Sequence, residues 1–281
     1  MTLSRADASA QLDSRGLRAK RSLGQNFVVD PNTVRRIARL ARVDSSSHVL
    51  EIGAGLGSLT LALAETGADI VAVEVDDALV PILEENVASA SNVRVVRADA
   101  MDLDWSSLLA GHDDWVLVAN LPYNVATPLV ADILDFVPSV RRVLVMVQRE
   151  VAERFAASPS TPAYGAVSVK VAFHGTARIV GQVPASVFLP RPNVESALVE
   201  IERHDRPLDD SVDVRTLFGL VRAGFGKRRK MLRGSLAGKV SAEQFAEAHI
   251  EPTARAEELT VVDWIRLARA MKPESDTMDH R

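Results

Sequence analysis

An amide oxygen, a proline-stiffened turn and an aromatic face follow one another in Asn120-Leu121-Pro122-Tyr123. These are the groups needed to make a nucleophile of an exocyclic adenine amine, whose lone pair is delocalised into the ring. Two acceptors on its N–H bonds, the Asn120 side chain and a backbone carbonyl of the turn, would draw the nitrogen toward tetrahedral geometry and expose the lone pair. Tyr123 offers a face for the base to stack on. With a good leaving group no acidic base is demanded, because positioning can supply up to about 7–11 kcal/mol of barrier reduction.

A second constellation lies upstream. Glu51-Ile-Gly53-Ala-Gly55-Leu-Gly57 is a GxGxG turn preceded by an acid, one residue short of the dinucleotide GxGxxG spacing. The lost residue and added carboxyl disfavour a pyrophosphate and favour a cationic ligand. Glycines alone would mark only a tight strand-to-helix connection. Glu74 and Asp99, however, each stand at the end of an apolar run. There one carboxylate can take both ribose hydroxyls and the other can accept from an adenine amino group. Ribose, adenine and positive charge without phosphate describe S-adenosylmethionine.

Bringing these groups together takes strands that end side by side. Runs at 48–52, 69–75, 93–98, 115–119 and 142–147 read as strands, with further extended stretches near 168–173 and 196–201. Helical patterns intervene at 31–42, 58–65 and 77–87 and between the strands at 115–119 and 142–147. This alternation predicts an α/β, Rossmann-like sheet of about seven strands, parallel, with helices on both faces, and together with the S-adenosylmethionine site it reads as a methyltransferase sheet. After the polar stretch HDRPLDD at 204–210 the strand pattern stops. Helices are expected at 212–223, 228–236, 242–249 and 261–271. The domain reading is a loose tail over 1–19, a catalytic domain over 20–203, a small all-helical RNA-binding domain over 204–272 and a frayed end over 273–281.

Composition narrows the classes further. At 281 residues, about two domains are expected. The absence of cysteine excludes disulfides, a thiol nucleophile and thiolate metal sites, and no histidine pair falls at i, i+4, so no metal is expected. No apolar run approaches the roughly 18 residues of a membrane helix, and the N-terminus lacks the apolar core of a signal peptide. A cytoplasmic monomer is expected. The net charge of −4 argues against a polyanion partner, but its distribution does not. Between Asp213 and Glu243 there is no acid, only Arg215, Arg222, Lys227, Arg228, Arg229, Lys230, Arg233 and Lys239, and a second cluster holds Arg15, Arg18, Lys20 and Arg21. Lys20, Arg21, Arg222, Lys227, Arg228, Arg229, Lys230 and Arg233 are the candidate phosphate contacts, either side of a target loop.

Taken together, Lys20–Phe27 (KRSLGQNF), Glu51–Gly57, Glu74, Asp99-Ala100, Asn120–Tyr123, Phe188–Ser196 (FLPRPNVES), Phe225–Arg233 (FGKRRKMLR) and Glu251–Leu259 (EPTARAEEL) resemble the ribosomal RNA adenine N6,N6-dimethyltransferase family. Within it the resemblance is to the bacterial 16S rRNA enzymes, whose loss gives kasugamycin resistance. It runs in family order over about residues 20–270. Val28 stands where leucine is usual and Met231 where threonine is common. The resemblance implies four methyl transfers from S-adenosylmethionine to two adjacent adenosines in the 3′-terminal hairpin loop of 16S rRNA, late in small-subunit assembly. It places Gln25, Asn26, Val28, Gly53, Gly55, Glu74, Val75, Asp99, Ala100 and Asn120 at the cofactor. It assigns catalysis to Asn120, Leu121, Pro122, Tyr123 and Phe188, with Tyr123 and Phe188 sandwiching the base. The alternatives are a 23S rRNA adenine methyltransferase of the macrolide-resistance type, sharing the glycine turn and the N-I/L-P-Y loop, and an RNA-binding assembly factor. An NAD-dependent dehydrogenase is disfavoured by the glycine spacing.

Overall fold

Short, continuously apolar runs rich in valine cannot be half-solvated, so they form a sheet covered on both faces. The computed structural model describes residues 2–123, 125–206 and 208–271, without the side chain of Arg21. The chain divides into two units: residues up to Ala156 with Gly175–Arg203, and Ala157–His174 with the residues from His204 onward. Segment 157–174, expected in the catalytic domain, therefore belongs to the second unit.

In chain order the first unit contains α1 (Arg5–Ser14), β1 (Phe27–Val28), α2 (Pro31–Ala41), β2 (His48–Ile52), α3 (Ser58–Ala64), β3 (Asp69–Glu74), α4 (Val80–Val87) and β4 (Val93–Arg97). There follow α5 (Trp105–Leu108), β5 (Trp115–Asn120), α6 (Ala126–Phe136), β6 (Val140–Gln148) and α7 (Arg149–Phe155). After α8 (Ala166–His174), which belongs to the second unit, come β7 (Gly175–Val183), β8 (Phe188–Leu189) and β9 (Ser196–Arg203). Seven strands form one sheet in the order β4-β3-β2-β5-β6-β9-β7, while β1 pairs with β8 alone. The strands β4, β3, β2, β5 and β6 are parallel; β9 runs antiparallel to both β6 and β7. The sheet is thus mixed rather than wholly parallel. Its winding reverses between β2 and β5, and at such a switch point the strand ends part to leave a crevice. Gly53 follows one of those strands and Asn120 ends the other.

Two further expectations are corrected. The stretch at 168–173 is helical, because Val169 and Phe173, four apart, bury one helix face in the second unit's core. Its valines mimic a strand, but packing overrides that local preference. The strand actually used is β7, whose two glycines and irregular register near Gly181 hide it from a pattern search. The loose tail over 1–19 contains α1, closed by a Ser4–Asp7 capping box, with Ala8 and Leu12 buried in the core. Gln11 exchanges hydrogen bonds with Asn86, and Arg5 donates to the carbonyls of Ser186 and Phe188.

The second unit contains α8 with α9 (Val214–Gly226), α10 (Leu232–Ser235), α11 (Ala242–Glu247) and α12 (Val261–Arg269). Trp264 is fully buried at its centre. Gly224 does not break α9: a Cβ there would lie 2.6 Å from the Trp264 ring, so the glycine lets the indole approach the helix. The helix expected from residue 228 begins at Leu232, which leaves 227–230 as a turn. Arg222, Arg229 and Arg233 therefore do not share one helical face. The expected frayed end at 273–281 lies outside the described residues. Among those described, no helix is long and apolar enough to cross a membrane.

Candidate active site

The glycine turn after β2 is held from β3: the Gly53 and Ala54 N–H groups both donate to the Val73 carbonyl, at 2.8 and 3.2 Å. Gly53, Gly55 and Gly57 all have positive φ. At Gly55 a side chain would be strained by that conformation and would crowd the Phe27 ring at 3.1 Å. Beneath the turn lies Glu74, 5% exposed. Its Oε2 accepts from Gly55 N at 2.7 Å, and its Oε1 accepts from Val75 N and Asp76 N at 3.0 and 2.8 Å. Burial raises its pKa, the three N–H donors pull it back, and the Asp76 carboxylate adds to the rise. About four lone-pair sites serve a carboxylate, so Glu74 keeps acceptor capacity toward the crevice.

Glu51 is 2% exposed, and its Oε2 has no hydrogen-bond partner. Burial pushes its pKa up to about 8, with the Thr60 hydroxyl opposing the rise and Glu74 adding to it.

At the end of β5 the Asn120 Nδ2 donates to the Asn26 carbonyl at 2.9 Å, which turns Oδ1 into the open acceptor. The Leu121 N–H donates to Met146 O, and the Pro122 carbonyl is taken by Val125 N and Ala126 N. Among the described residues the Leu121 carbonyl accepts nothing, which makes it the loop's candidate for the second acceptor. The Tyr123 hydroxyl shares a 2.8 Å hydrogen bond with the buried Ser196. Burial raises the tyrosine pKa and Ser196 moderates it, so the hydroxyl stays protonated and fixes the ring.

These groups border two clefts on the sheet edge. The first is lined by Gln25, Asn26, Gly53, Gly55, Glu74 and Asn120 among others; the second by Asp99, Ala100, Met101, Val125 and Leu129. Gly53, Val75 and Pro122 line both, so the cavities adjoin. Asp99 is exposed, its Oδ1 accepting from Met101 N. No lysine or arginine lines either cavity among the described residues. That is unsuited to a pyrophosphate. A ligand with an apolar base, a ribose and a positive charge fits, since the walls are mostly apolar and Glu74 lines the first cavity.

Not every residue expected here is placed here. Val28 (4% exposed) and Phe188 (fully buried) pair across β1 and β8 and belong to the core. Phe188 presents no face for a base in this structure. Phe27, beside Gly55, lines the cleft instead, and so do Leu23 and Met101. Nothing marks them in the sequence except neighbourhood to the motifs. Lys20, expected at RNA phosphates, places its Nζ 2.6 Å from the buried Asp76. The Arg21 side chain lies outside the described residues. At the opposite ends of the strands His48, His112 and Asp114 come together, their possible ligand atoms within 4.8 Å of one another and the two imidazoles stacked with centroids 3.4 Å apart.

In the second unit Arg228 donates to Glu257 at 2.8 Å and to the Pro162 carbonyl at 2.9 Å. It is therefore a structural arginine. Arg222, Lys227, Arg229, Lys230 and Arg233 are exposed and enter no ion pair among the described residues.

Glu74→Ala should weaken cofactor binding by on the order of 1.5–3 kcal/mol, the range for losing a charged acceptor. Calorimetry would show this, with the unfolding midpoint read alongside because three N–H groups lose their acceptor. Unchanged affinity would remove Glu74 from the site.

A doubly wound sheet reversing between β2 and β5, with a crevice lined by no lysine or arginine among the described residues and an acid at the end of β3, fits a methyltransferase that uses S-adenosylmethionine. The loop after β5 narrows the class to enzymes acting on an amine of a planar base. The chain belongs to the ribosomal RNA adenine dimethylase family, which it matches over residues 16–272. It is 46% identical over 278 residues to ribosomal RNA small subunit methyltransferase A of Acidothermus cellulolyticus, covering 95% of this chain and 94% of that one. To the protein of the same name from Leifsonia xyli subsp. xyli it is 47% identical over 264 residues, covering 90% and 92%. In fold it is similar to a dimethyladenosine transferase from Plasmodium falciparum, with a TM-score of 0.74 and 21% identity over 86% of this chain and 95% of that one. The 23S rRNA methyltransferase ErmE has a TM-score of 0.65 and 24% identity, covering 87% and 99%.

Proposed function

We propose that this chain dimethylates N6 of two adjacent adenosines in the 3′-terminal hairpin loop of 16S rRNA, late in small-subunit assembly, as a cytoplasmic monomer. The observation that carries the chemistry is the Asn120 amide, held through Nδ2 by the Asn26 carbonyl so that Oδ1 is its acceptor, on a loop that borders both cavities, with the Leu121 carbonyl as the second acceptor. Bound S-adenosylmethionine supplies an electrophilic methyl carbon on a positive sulfur. Glu74 takes the ribose hydroxyls, Asp99 and the wall of Ala100 and Met101 take the adenine, and Asn26 and Gly53 border the reacting end. Asn120 and Leu121 accept the two N6–H bonds of the target and aim its lone pair. Tyr123, tethered by Ser196, stacks on the base. A loop base suits the site because it is extruded at little cost compared with a paired one.

The small-subunit relatives, alike over nearly the whole chain, favour this substrate over 23S rRNA, since the likeness to ErmE is one of fold. Labelled cofactor incubated with immature small-subunit particles should mark two neighbouring adenosines in that hairpin. Label in 23S rRNA, or none, would overturn the reading.

RNA is gripped in part by the acid-free turn of the second unit. Replacing Lys227, Arg229 and Lys230 by glutamine should weaken RNA binding and flatten its salt dependence, each lost phosphate contact reducing the slope of log affinity against log salt by about 0.7–0.9. Cofactor affinity should not change. Arg228 is left in place because it braces the unit. An unaltered slope would put the grip elsewhere.

A further inference from the structure

Asp76 is a buried acid of the first unit that lies outside the ribose contact itself. It is 4% exposed. Its Oδ1 accepts from Lys20 Nζ at 2.6 Å and from Ala78 N at 3.1 Å, and its Oδ2 accepts from Gln25 Nε2 at 2.8 Å. Gln25 in turn accepts from Lys20 N through Oε1 at 2.8 Å, and its own N–H donates to Lys20 O. Lys20, Gln25 and Asp76 thus form a closed ring that clamps both ends of a six-residue bend onto the end of β3. The next residue is Asn26. Its Nδ2 donates back to Gly24 O, and its carbonyl receives the Asn120 amide. Asp76 is also tied to Glu74, whose Oε1 accepts from its N–H.

We propose that Asp76, Lys20 and Gln25 form a latch that positions the reaction: gripped by Asp76, the 20–26 segment stays closed along the cofactor cleft, and its Asn26 carbonyl sets the amide of Asn120. This rests on the reading of Asn120 given above. None of the three touches the reacting atoms by this account; they act through Asn26 and through the wall made by Leu23, Gly24 and Gln25. The Lys20–Asp76 bond is charge-assisted, and such bonds are about twice as strong as neutral ones. An opened segment would let the cofactor leave and would free Asn120 to rotate its amide, replacing an acceptor by a donor at the nucleophile.

The test uses the full chain with Lys20→Met, Asp76→Asn and the double variant. Lys20→Met keeps the Asp76 bonds to Ala78 and Gln25, so it reads the latch even if Asp76→Asn folds poorly. Expected are faster cofactor release by roughly tenfold, the low end for a lost charge-assisted bond, and faster hydrogen exchange confined to residues 20–26. Turnover should fall while KM for RNA and its salt slope hold. The double variant should be no worse than Asp76→Asn alone, and Lys20→Arg should restore release to near its original rate. Unchanged cofactor release in Lys20→Met would overturn the latch. So would a flatter RNA salt slope in that variant, which would make Lys20 a phosphate contact. Release and exchange need no RNA, so they test the latch even if the small-subunit substrate proves wrong.

Discussion

Asn120→Ala is expected to lower turnover by roughly a hundredfold or more while the cofactor still binds. The figure follows from preorganised polar groups, whose removal typically costs about 2.7–4 kcal/mol of transition-state stabilisation. Asn120 needs no reorganisation at the moment of reaction, because its Nδ2 is already held by the Asn26 carbonyl. Asn120→Asp is the sharper variant. It offers acceptors but has no N–H for Asn26, so it should also lose most activity. Single-turnover rates with saturating RNA would measure the effect, and a loss below about threefold would remove Asn120 from the chemistry. Tyr123→Phe should be milder, since the ring remains and only the Ser196 bond goes.

The second large effect is one of stability. Glu51 holds its proton in the folded chain up to about pH 8, against an ordinary value of 4.5. Between those values the native state binds more proton than the unfolded one, so stability falls as pH rises. The contribution is whole below about 4.5 and is lost by the time pH passes 8. At pH 7 the ionisable group opposes folding by on the order of 3 kcal/mol. Glu51→Gln keeps the shape without the charge, so it should match the original chain near pH 4.5 and exceed it increasingly toward pH 8. Urea unfolding at several pH values would show the flatter profile. Parallel curves would mean that Glu51 titrates as an ordinary carboxyl.

What could be read from the chain alone is what strand order determines. Gly53, Glu74, Asp99 and Asn120 each follow or end an apolar run, and parallel strands bring their ends to one edge, so local position was enough to collect them. Enclosure was not legible. Phe188 and Val28 sit beside true cleft residues in sequence, yet pairing of β1 with β8 turns both into the core. Nor was partnership across distance. Lys20 looks like one more cation of a basic cluster until Asp76, 56 residues away, claims it. Arg228 is withdrawn from its cluster in the same manner by Glu257. α1 escaped notice because only Ala8 and Leu12 are buried along it, too few to make a stripe.

The second unit is discontinuous in the chain, and this bears on how the protein is made. α8 leaves the ribosome before β7 and β9, and well before α9 and α12, the helices its buried face packs on. During synthesis Val169 and Phe173 must wait, exposed, for partners dozens of residues away. The sheet waits as well, since β9 takes its place between β6 and β7 only after the chain has returned from the other unit. Neither unit can therefore be completed by vectorial folding of one stretch. Ending the chain after Arg203, to isolate the catalytic half, would strand the apolar face of α8 in water, and the product should aggregate where the whole protein does not.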